Sequence, residues 1–408
     1  MADVKCKATP IDAVTQRMTM AGVLIPGHAT RTGTENYTRT FGAALPTEHY
    51  SEFLNLHLKL SSLGIGTFPG AASDEIDEAY AEIVHRALVS GINVIDTAAH
   101  YRYGRSARAA GKGLRRALAS GVKREQVFLV SKGGFLRFDD GVPDDLDAWL
   151  EANIARKGLG KRDDLTDVHL LSPGHIAQQI EESRQALGVE TLDAFLIDQP
   201  EVHIPRLGKA ELNQRLQRAF AVCEQAVNEN KIRCYGISTF SGFRVETDHV
   251  LFQSLASLQG LAEKAAQAVQ QETNARHGFR IIQLPFNQVM LEGFTRFNQA
   301  TGQGNVASTI QAAFQLKVYV MASHGLAKGR LARQCVDAVR AALPSLANDA
   351  QRALQFSRST PGLGTSLVGI STPAHLDDLL AVAIASPMGR VDYLRLFERA
   401  EGSMRPVV

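Results

Sequence analysis

The chain has 408 residues, of which 45% are hydrophobic and 21% are charged, enough to bury one large core or two ordinary ones. Its 44 basic and 42 acidic residues leave a formal charge of +2, so there is no electrostatic reason to expect a nucleic acid or an anionic membrane as partner. We therefore expect a small-molecule partner. The composition carries no information on the oligomeric state.

The cysteines and the N-terminus bear on the compartment. Cys6, Cys223, Cys234 and Cys335 lie far apart and form no C-x-x-C pair, which predicts reduced thiols rather than disulfides or a zinc site. The N-terminal stretch mixes charges with short apolar segments, unlike a signal peptide, and no segment reaches the ~18 apolar residues of a membrane span. These features predict a cytoplasmic protein.

Eight short apolar runs alternate with amphipathic stretches from about Leu60 onward. The runs cover 60–68, 92–98, 127–132, 193–198, 232–239, 280–286, 317–323 and 365–371. Helical spacing occupies the segments between them, for example 74–91 and 172–188. Because parallel strands need covered faces and right-handed crossovers, this order predicts a (β/α)8 TIM barrel. A doubly wound sheet is the alternative, but no strand is followed by a G-x-G-x-x-G turn.

Three segments do not fit the repeat: the first 55 residues, an insert near 139–172 and a stretch near 241–279. We expect residues 1–55 to form an extension that packs on a barrel of residues 56–408. The insert follows the third strand, so in a barrel it lies at the functional face. A lid, a wall of the substrate pocket and an oligomer contact all stay open as its role.

Polar residues end most of the apolar runs, and in barrel enzymes such residues converge at one rim. They are Asp96, Lys132, Asp198, Ser238, Thr239, Gln283 and Ser323, and Tyr101 lies just past Asp96. Each one alone is typical of a solvated or paired group. Together, Asp96 holding a charged Lys132 beside Tyr101 indicates a proton-transfer device, because a neighbouring cation lowers the pKa of a phenol.

These residues lie in motifs that span the chain from about Leu60 to about Leu380: GINVIDTAAHYRYGRS, VFLVSKGG, LDAFLIDQPE, YGIST, QLPFN and ALQFSRSTPGLGTSLVGISTPAHLDDLL. In this order the sequence resembles the aldo-keto reductase superfamily. The resemblance implies a catalytic Asp, Tyr, Lys and His, with NADP(H) across the barrel mouth. Asp96, Tyr101 and Lys132 match the first three, and the spacing favours Tyr101 over Tyr103.

The resemblance also implies cofactor contacts. Ser238, Thr239 and Gln283 would face the nicotinamide carboxamide, although Thr239 stands where Asn is usual. The loop 323–330 would approach the pyrophosphate, and its candidate residues are Ser323, Gly325 and Lys328.

Ser371, Thr372 and His375 would lie at the adenosine end. Thr372 before Pro373 is typical of a helix N-cap and leaves N–H groups suited to an anion. The superfamily usually has Lys or Arg in this region, whereas Asp377 and Asp378 disfavour a 2′-phosphate. The resemblance implies NADP as the cofactor, and these acids leave NAD possible.

The fourth catalytic position, usually His, is Asp198. An ionised carboxylate cannot donate a hydrogen bond to a carbonyl oxygen, and losing one such donor costs about 10²- to 10³-fold in rate. A protonated Asp198, reduction of an enone or imine, a cationic substrate, and a base role in elimination or isomerisation all stay open. His100 or His203 could replace the imidazole, but we expect both to be solvated loop histidines.

Two functions follow. The first is an NAD(P)H-dependent oxidoreductase that reduces a carbonyl, enone or imine of a small metabolite with Asp96, Tyr101, Lys132 and Asp198. The second keeps the fold without redox chemistry, as a lyase, dehydratase or cyclase using Tyr101 and Asp198, or as a non-catalytic binding subunit. No metal-binding spacing appears. Aromatic residues fit either the pocket lining or the core: Phe68, Phe135, Phe138, Trp149 and Phe286.

Overall fold

A helix and a hairpin precede the barrel. The computed structural model describes residues 23–302 and 304–398. It begins with α1 (Arg31–Phe41), followed by an antiparallel hairpin of β1 (Tyr50–Phe53) and β2 (Leu58–Ser61). Cys6 and the rest of residues 1–22 of the predicted extension lie outside the described residues.

Eight parallel strands close into a barrel, which confirms the predicted fold. They are β3 (Leu63–Gly66), β4 (Val94–Asp96), β5 (Phe128–Gly133), β8 (Leu192–Asp198), β9 (Ile232–Ser238), β10 (Phe279–Pro285), β13 (Tyr319–Ser323) and β14 (Thr365–Gly369). Around the barrel the order is β3, β4, β5, β8, β9, β10, β13, β14, and β14 pairs with β3. Each predicted run overlaps one barrel strand. The first run also includes the end of β2, because the extended segment is interrupted at Ser62, whose N–H donates to His49 O.

Helices alternate with the barrel strands. They are α2 (Asp74–Leu88), α3 (Arg105–Ala119), α4 (Leu146–Leu150), α5 (Pro173–Leu187), α6 (Ile204–Asn228), α7 (Leu255–Gln270), α8 (Glu292–Thr295), α9 (Thr309–Gln315), α10 (Arg330–Arg333), α11 (Asp337–Ala342), α12 (Asp349–Arg358), α13 (Pro373–Ile384) and α14 (Arg390–Arg395). In α2, Ser73 Oγ accepts from Ile76 N at the N-cap, and three acidic residues occupy the first turn, which suits the helix dipole. No helix among these described residues is long and apolar enough to cross a membrane.

The barrel interior is packed solid at the end where its strands begin. The β1–β2 hairpin inserts Phe53, Leu58 and Leu60 against inward-facing residues of the barrel strands, and the rings of Phe53 and Tyr319 stack with centroids 4.7 Å apart. The hairpin therefore covers the N-terminal ends of the strands, and the C-terminal ends form the mouth. The two strands of this hairpin lie on either side of the predicted boundary at residue 55. The division into an extension (1–55) and a barrel (56–408) stays a prediction.

Two short antiparallel hairpins lie in the connections between barrel strands. The insert after β5 contains α4, a π-helical turn (Glu151–Ala155) and a hairpin of β6 (Leu165–Thr166) and β7 (His169–Leu170), and it has its own small core. Between β10 and β13, α8 and α9 flank a second hairpin of β11 (Phe297–Gly302) and β12 (Asn305–Ser308). The stretch 241–279 contains α7, an ordinary crossover helix.

Candidate active site

Lys132 is the centre of the polar cluster at the mouth. It is fully buried, and its Nζ donates to Asp96 Oδ2 at 2.6 Å, to Thr97 O at 3.1 Å and to the Tyr101 hydroxyl oxygen at 3.2 Å. An ammonium has three protons, so all three are engaged. Because Lys132 donates to the Tyr101 oxygen, the hydroxyl proton of Tyr101 points elsewhere. The structure places Tyr101 against Lys132, whereas Tyr103 is 39% exposed.

Asp96 is held at both of its oxygens. Oδ2 accepts from Lys132, and Oδ1 accepts from Gln283 Nε2 at 3.0 Å. Ser238 Oγ in turn donates to Gln283 Oε1 at 3.2 Å. Residues at the C-terminal ends of β4, β5, β9 and β10 therefore form one connected network across the mouth.

The pKa of Tyr101 shifts in the opposite direction to the prediction. Burial raises it above its ordinary value, and the carboxylates of Asp198 and Asp96 add to the rise, so Lys132 only partly offsets the shift. The expected depression by Lys132 was therefore wrong for the net pKa. Tyr101 is therefore a protonated phenol at neutral pH, which suits a proton donor rather than a phenolate base.

Asp198 ends β8 inside the same network. Its side chain is 5% exposed, and burial raises the pKa of its carboxyl to about 6, although Lys132 and Ser238 oppose the shift. Ser238 is its register partner on β9. At neutral pH this carboxylate is mostly ionised but easily protonated.

His100 faces Asp198. Its Nε2 lies 4.0 Å from Asp198 Oδ2, and its ring packs against Tyr101 and Phe135. Burial and the nearby Lys132 lower the pKa of His100 to about 3, so the imidazole is neutral. Nδ1 is buried without a hydrogen-bond partner in the described part of the chain. The expectation of a solvated loop histidine was wrong, because the Phe135 ring and the cluster shield this side chain.

His203 also differs from expectation. It is fully buried, because the insert covers it: its Nε2 lies 2.8 Å from His169 Nδ1, and its Nδ1 lies 2.8 Å from Thr166 Oγ1. His169 Nε2 donates to the backbone oxygen of Asp198 at 2.6 Å. A carbonyl can only accept, so His169 carries its proton on Nε2 and accepts from His203. His203 is thus a link between the insert and Asp198 and does not supply the missing imidazole.

Gly134 makes room for His169. A Cβ on Gly134 would lie 2.2 Å from His169 Nε2, and the residue has φ +127°, where only glycine is unstrained. Leu170 N also donates to Gly134 O at 2.8 Å. The insert is therefore attached both to the segment after Lys132 and to the end of β8.

Comparison with known proteins finds a family model that matches part of the chain. The Aldo/keto reductase family model matches residues 62–258, a range that contains Asp96, Tyr101, Lys132 and Asp198. This matched part of the chain indicates the aldo-keto reductase superfamily. The aldo-keto reductase YhdN of Bacillus subtilis is 26% identical over 212 residues, which cover 51% of each chain. The NADH-specific methylglyoxal reductase of Escherichia coli is 26% identical over 198 residues, 47% of this chain and 51% of that protein. The chain thus spans about half the length of these curated relatives.

Solved aldo-keto reductase structures share the fold. An aldo/keto reductase from Klebsiella pneumoniae in complex with NADP and acetate has a TM-score of 0.53 at 18% identity, over 83% of this chain and 91% of that chain. The holo form of an aldo-keto reductase from Bacillus halodurans has a TM-score of 0.56 at 17% identity, over 85% and 95%. At this identity the likeness concerns the barrel alone.

The cofactor positions that the aldo-keto reductase resemblance implied follow four neighbouring strands. Ser238 is the last residue of β9, Thr239 follows it, and Gln283 lies in β10; all three are buried. Thr239 N donates to Gln283 O at 2.9 Å. Thr239 Oγ1 is buried and has no hydrogen-bond partner among the described residues.

The remaining positions lie past β13 and β14. Ser323 Oγ contacts His324 Nδ1 at 3.2 Å, Gly325 is buried beside Ser366, and Lys328 is exposed. Thr372 is the N-cap of α13 without a side-chain cap bond, between a half-buried Ser371 and an exposed His375. No hydrogen bond in the described chain joins these residues to the Lys132 network.

The aromatic candidates divide between mouth and core. Phe68 is 64% exposed, and its ring meets Tyr101 edge-on with centroids 5.0 Å apart. Phe135 lies against His100, whereas Phe138 and Trp149 pack on each other inside the insert. Phe286 is fully buried and stacks on Phe356, so it belongs to the core.

Sequence reasoning missed two buried residues near the site. His169 lies in the insert, and nothing in its neighbourhood in the sequence marks it. Glu201 lies in the LIDQPE motif, and its Oε1 accepts from Phe240 N at 2.7 Å and Ser241 N at 3.1 Å, which fixes the loop after β9. In residues 23–302 and 304–398, no group of three or more His, Cys, Asp or Glu side chains is placed to hold a metal ion.

Proposed function

We propose that this chain is an NAD(P)H-dependent oxidoreductase that reduces a carbonyl, enone or imine of a small metabolite. The observation that carries the proposal is Lys132, whose three donors engage Asp96, Thr97 and Tyr101 at the barrel mouth. This arrangement keeps a cation fixed beside a phenol in a buried site, where electrostatic stabilisation is strong.

The strand ends offer polar groups that fit a nicotinamide cofactor. Thr239 Oγ1, just past β9, is buried without a hydrogen-bond partner in the described chain, so a bound carboxamide could satisfy it. The start of α13, with Pro373 in its first turn and no side-chain cap, leaves N–H groups for an anion. When bound, the reduced nicotinamide supplies a hydride.

Tyr101 supplies the proton in this proposal. Its hydroxyl proton is not used by Lys132 and is free to bond the substrate heteroatom. As the proton leaves, the Lys132 ammonium stabilises the negative charge that develops on the phenol oxygen. Asp96 keeps Lys132 in place, and Gln283 keeps Asp96 in place.

Asp198 and His100 replace the hydrogen-bonding histidine that the superfamily resemblance implies. Asp198 occupies the position where the superfamily resemblance implies a histidine. The neutral His100, 4.0 Å from Asp198, carries an imidazole nitrogen without a partner and can bond a substrate oxygen. The two side chains together give the mouth one acceptor and one possible donor.

Cofactor preference depends on the adenosine end. Arg86 pairs with Asp377 at 2.6 Å, and Asp378 Oδ1 accepts from Asn348 and Gln351. Arg86 is thus already paired with a carboxylate and is not free to bind a 2′-phosphate. This weakens the case for strong selectivity for NADP. The named relatives point both ways, because one solved structure contains NADP and one relative is an NADH-specific reductase.

A second candidate is elimination or isomerisation without a cofactor. The pKa of Asp198, raised to about 6 by burial, suits a general base at neutral pH, and Tyr101 would be the acid. This function needs no nicotinamide.

Titration with NADPH and with NADH, followed by cofactor fluorescence, tests the proposal. We expect saturable binding of at least one cofactor, and the ratio of the two affinities gives the preference. Thr239→Val should weaken binding, whereas Thr301→Val, near the turn of the β11–β12 hairpin, should not. No change in fluorescence with either cofactor would contradict the proposed reductase function and leave elimination or isomerisation as the candidate.

A further inference from the structure

The charges around the reacting position do not balance. The ionisable groups that face Asp198 are Lys132, Asp96, Tyr101, His100 and Glu201. Lys132 is the cation of this cluster, and Asp96 already pairs with it at 2.6 Å. His100 is neutral because burial lowers its pKa to about 3. An ionised Asp198 therefore adds a second negative charge that the single Lys132 cation does not balance in a buried site, which is costly unless a ligand supplies a cation.

Aromatic rings pack against Tyr101 and His100, two of the residues around Asp198. Phe68 and Tyr101 meet edge-on, with 64% of Phe68 exposed at the mouth, and Phe135 lies against His100. Ring faces attract cations as well as apolar groups. Arg244, in the loop after β9, already pairs with Glu292 at 2.9 Å.

We propose that the double bond reduced at this site belongs to an iminium group, a protonated or N-alkylated imine, whose positive charge pairs with the Asp198 carboxylate. This inference rests on the proposed reductase function and names its substrate class. On this inference, the carboxylate that replaces the hydrogen-bond donor at position 198 favours a positively charged substrate over a neutral one.

The reaction balances without a proton from the protein. The iminium carbon accepts a hydride from the reduced nicotinamide, so one C–H bond forms while the C=N π pair becomes a lone pair on nitrogen. The substrate is reduced from a cation to a neutral amine, and the nicotinamide is oxidised. Asp198 stabilises the cation before transfer, and the amine takes up a proton from water after release.

A matched pair of ligands tests the charge preference without turnover. Benzamidinium and benzamide have the same shape and differ in charge, and calorimetry would compare their affinities with and without saturating NADPH. We expect wild type to prefer benzamidinium by about 10- to 100-fold. Asp198→Asn should abolish the preference, and Asp392→Asn, an equal charge change on α14, should keep it. Equal affinities in wild type, or a preference retained in Asp198→Asn, would overturn the inference.

Turnover separates this inference from the reductase proposal. An N-methylated cyclic aryl iminium salt should be reduced with a kcat/KM at least about 10²-fold above that of the cyclic aryl ketone of the same shape. A protein that binds NADPH and prefers the ketone would contradict the iminium assignment alone. A protein that binds no cofactor and reduces neither compound would contradict the reductase proposal, whatever the amidinium result.

Discussion

His169 Nε2 lies 2.6 Å from the backbone oxygen of Asp198, so a side chain of the insert positions the residue that departs from the superfamily pattern. His203 and Thr166 continue this chain of hydrogen bonds with links of 2.8 Å each. The insert is therefore joined by hydrogen bonds to the barrel mouth at the residue that ends β8.

Replacing Gly134 with alanine should break this attachment. The new Cβ would lie 2.2 Å from His169 Nε2. Gly141 has the same φ of +127° but nothing within 4 Å of its Cβ, so Gly141→Ala reports backbone strain alone, about 1–3 kcal/mol. We expect Gly134→Ala to lower the free energy of unfolding in urea by about 1–3 kcal/mol more than that. Equal losses in the two variants would contradict the close approach of His169.

Tyr101→Phe should separate substrates that need a proton from those that do not. Removing the hydroxyl should slow ketone reduction by about 10²- to 10⁴-fold, while the hydride step to an iminium should change little. Tyr103→Phe, in which an exposed phenol is lost, should leave both rates unchanged. Steady-state rates of NADPH oxidation measure this, and an equal loss for both substrates in Tyr101→Phe would show that Tyr101 does more than donate a proton.

Asp198→His should speed up ordinary carbonyl reduction. An imidazole at the end of β8 can donate to a carbonyl oxygen, so the rate with simple aldehydes should rise by about 10²- to 10³-fold. Asp198→Asn is the control that removes the charge without adding an imidazole. If wild type is already as active as Asp198→His on these aldehydes, the role assigned to Asp198 is wrong.

Stability should depend on pH through Asp198. Burial raises the pKa of its carboxyl to about 6 from an ordinary value of 3.8, so the folded state binds the proton more tightly than the unfolded state. The free energy of unfolding should therefore fall as pH rises from about 4 to 6, by up to about 3 kcal/mol from this group. Asp198→Asn should be more stable than wild type at pH 7, with a difference that shrinks toward pH 4 in urea unfolding. A constant difference between the two proteins over this range would contradict the shifted pKa.

The sequence predicted the barrel because alternation of Val-, Ile- and Leu-rich runs with amphipathic helices is a local signal. It also placed Asp96, Lys132, Gln283 and Ser238 at strand ends, where the closed sheet joins them by hydrogen bonds. Parallel strands bring their C-terminal ends to one rim regardless of the side chains between them.

Other features could not be predicted, because they depend on contacts between distant segments. His169 acts on a carbonyl 29 residues away, and the enclosure of His100 needs the Phe135 ring from another loop. The pKa of Tyr101 moved against the prediction because burial, which the sequence does not report, outweighs Lys132.

Transfer of deuterium tests the central claim, a hydride-transferring site at the Lys132 cluster, most directly. The protein would be incubated with NADPH or NADH deuterated at each face of the nicotinamide C4 in turn, together with an iminium or carbonyl substrate. We predict that the product of one of the two labelled forms is heavier by one mass unit, and that with the carbonyl substrate, which needs the Tyr101 proton, the label is lost in Lys132→Met. Product without label from either form, or no product under conditions where cofactor binds, would contradict the account.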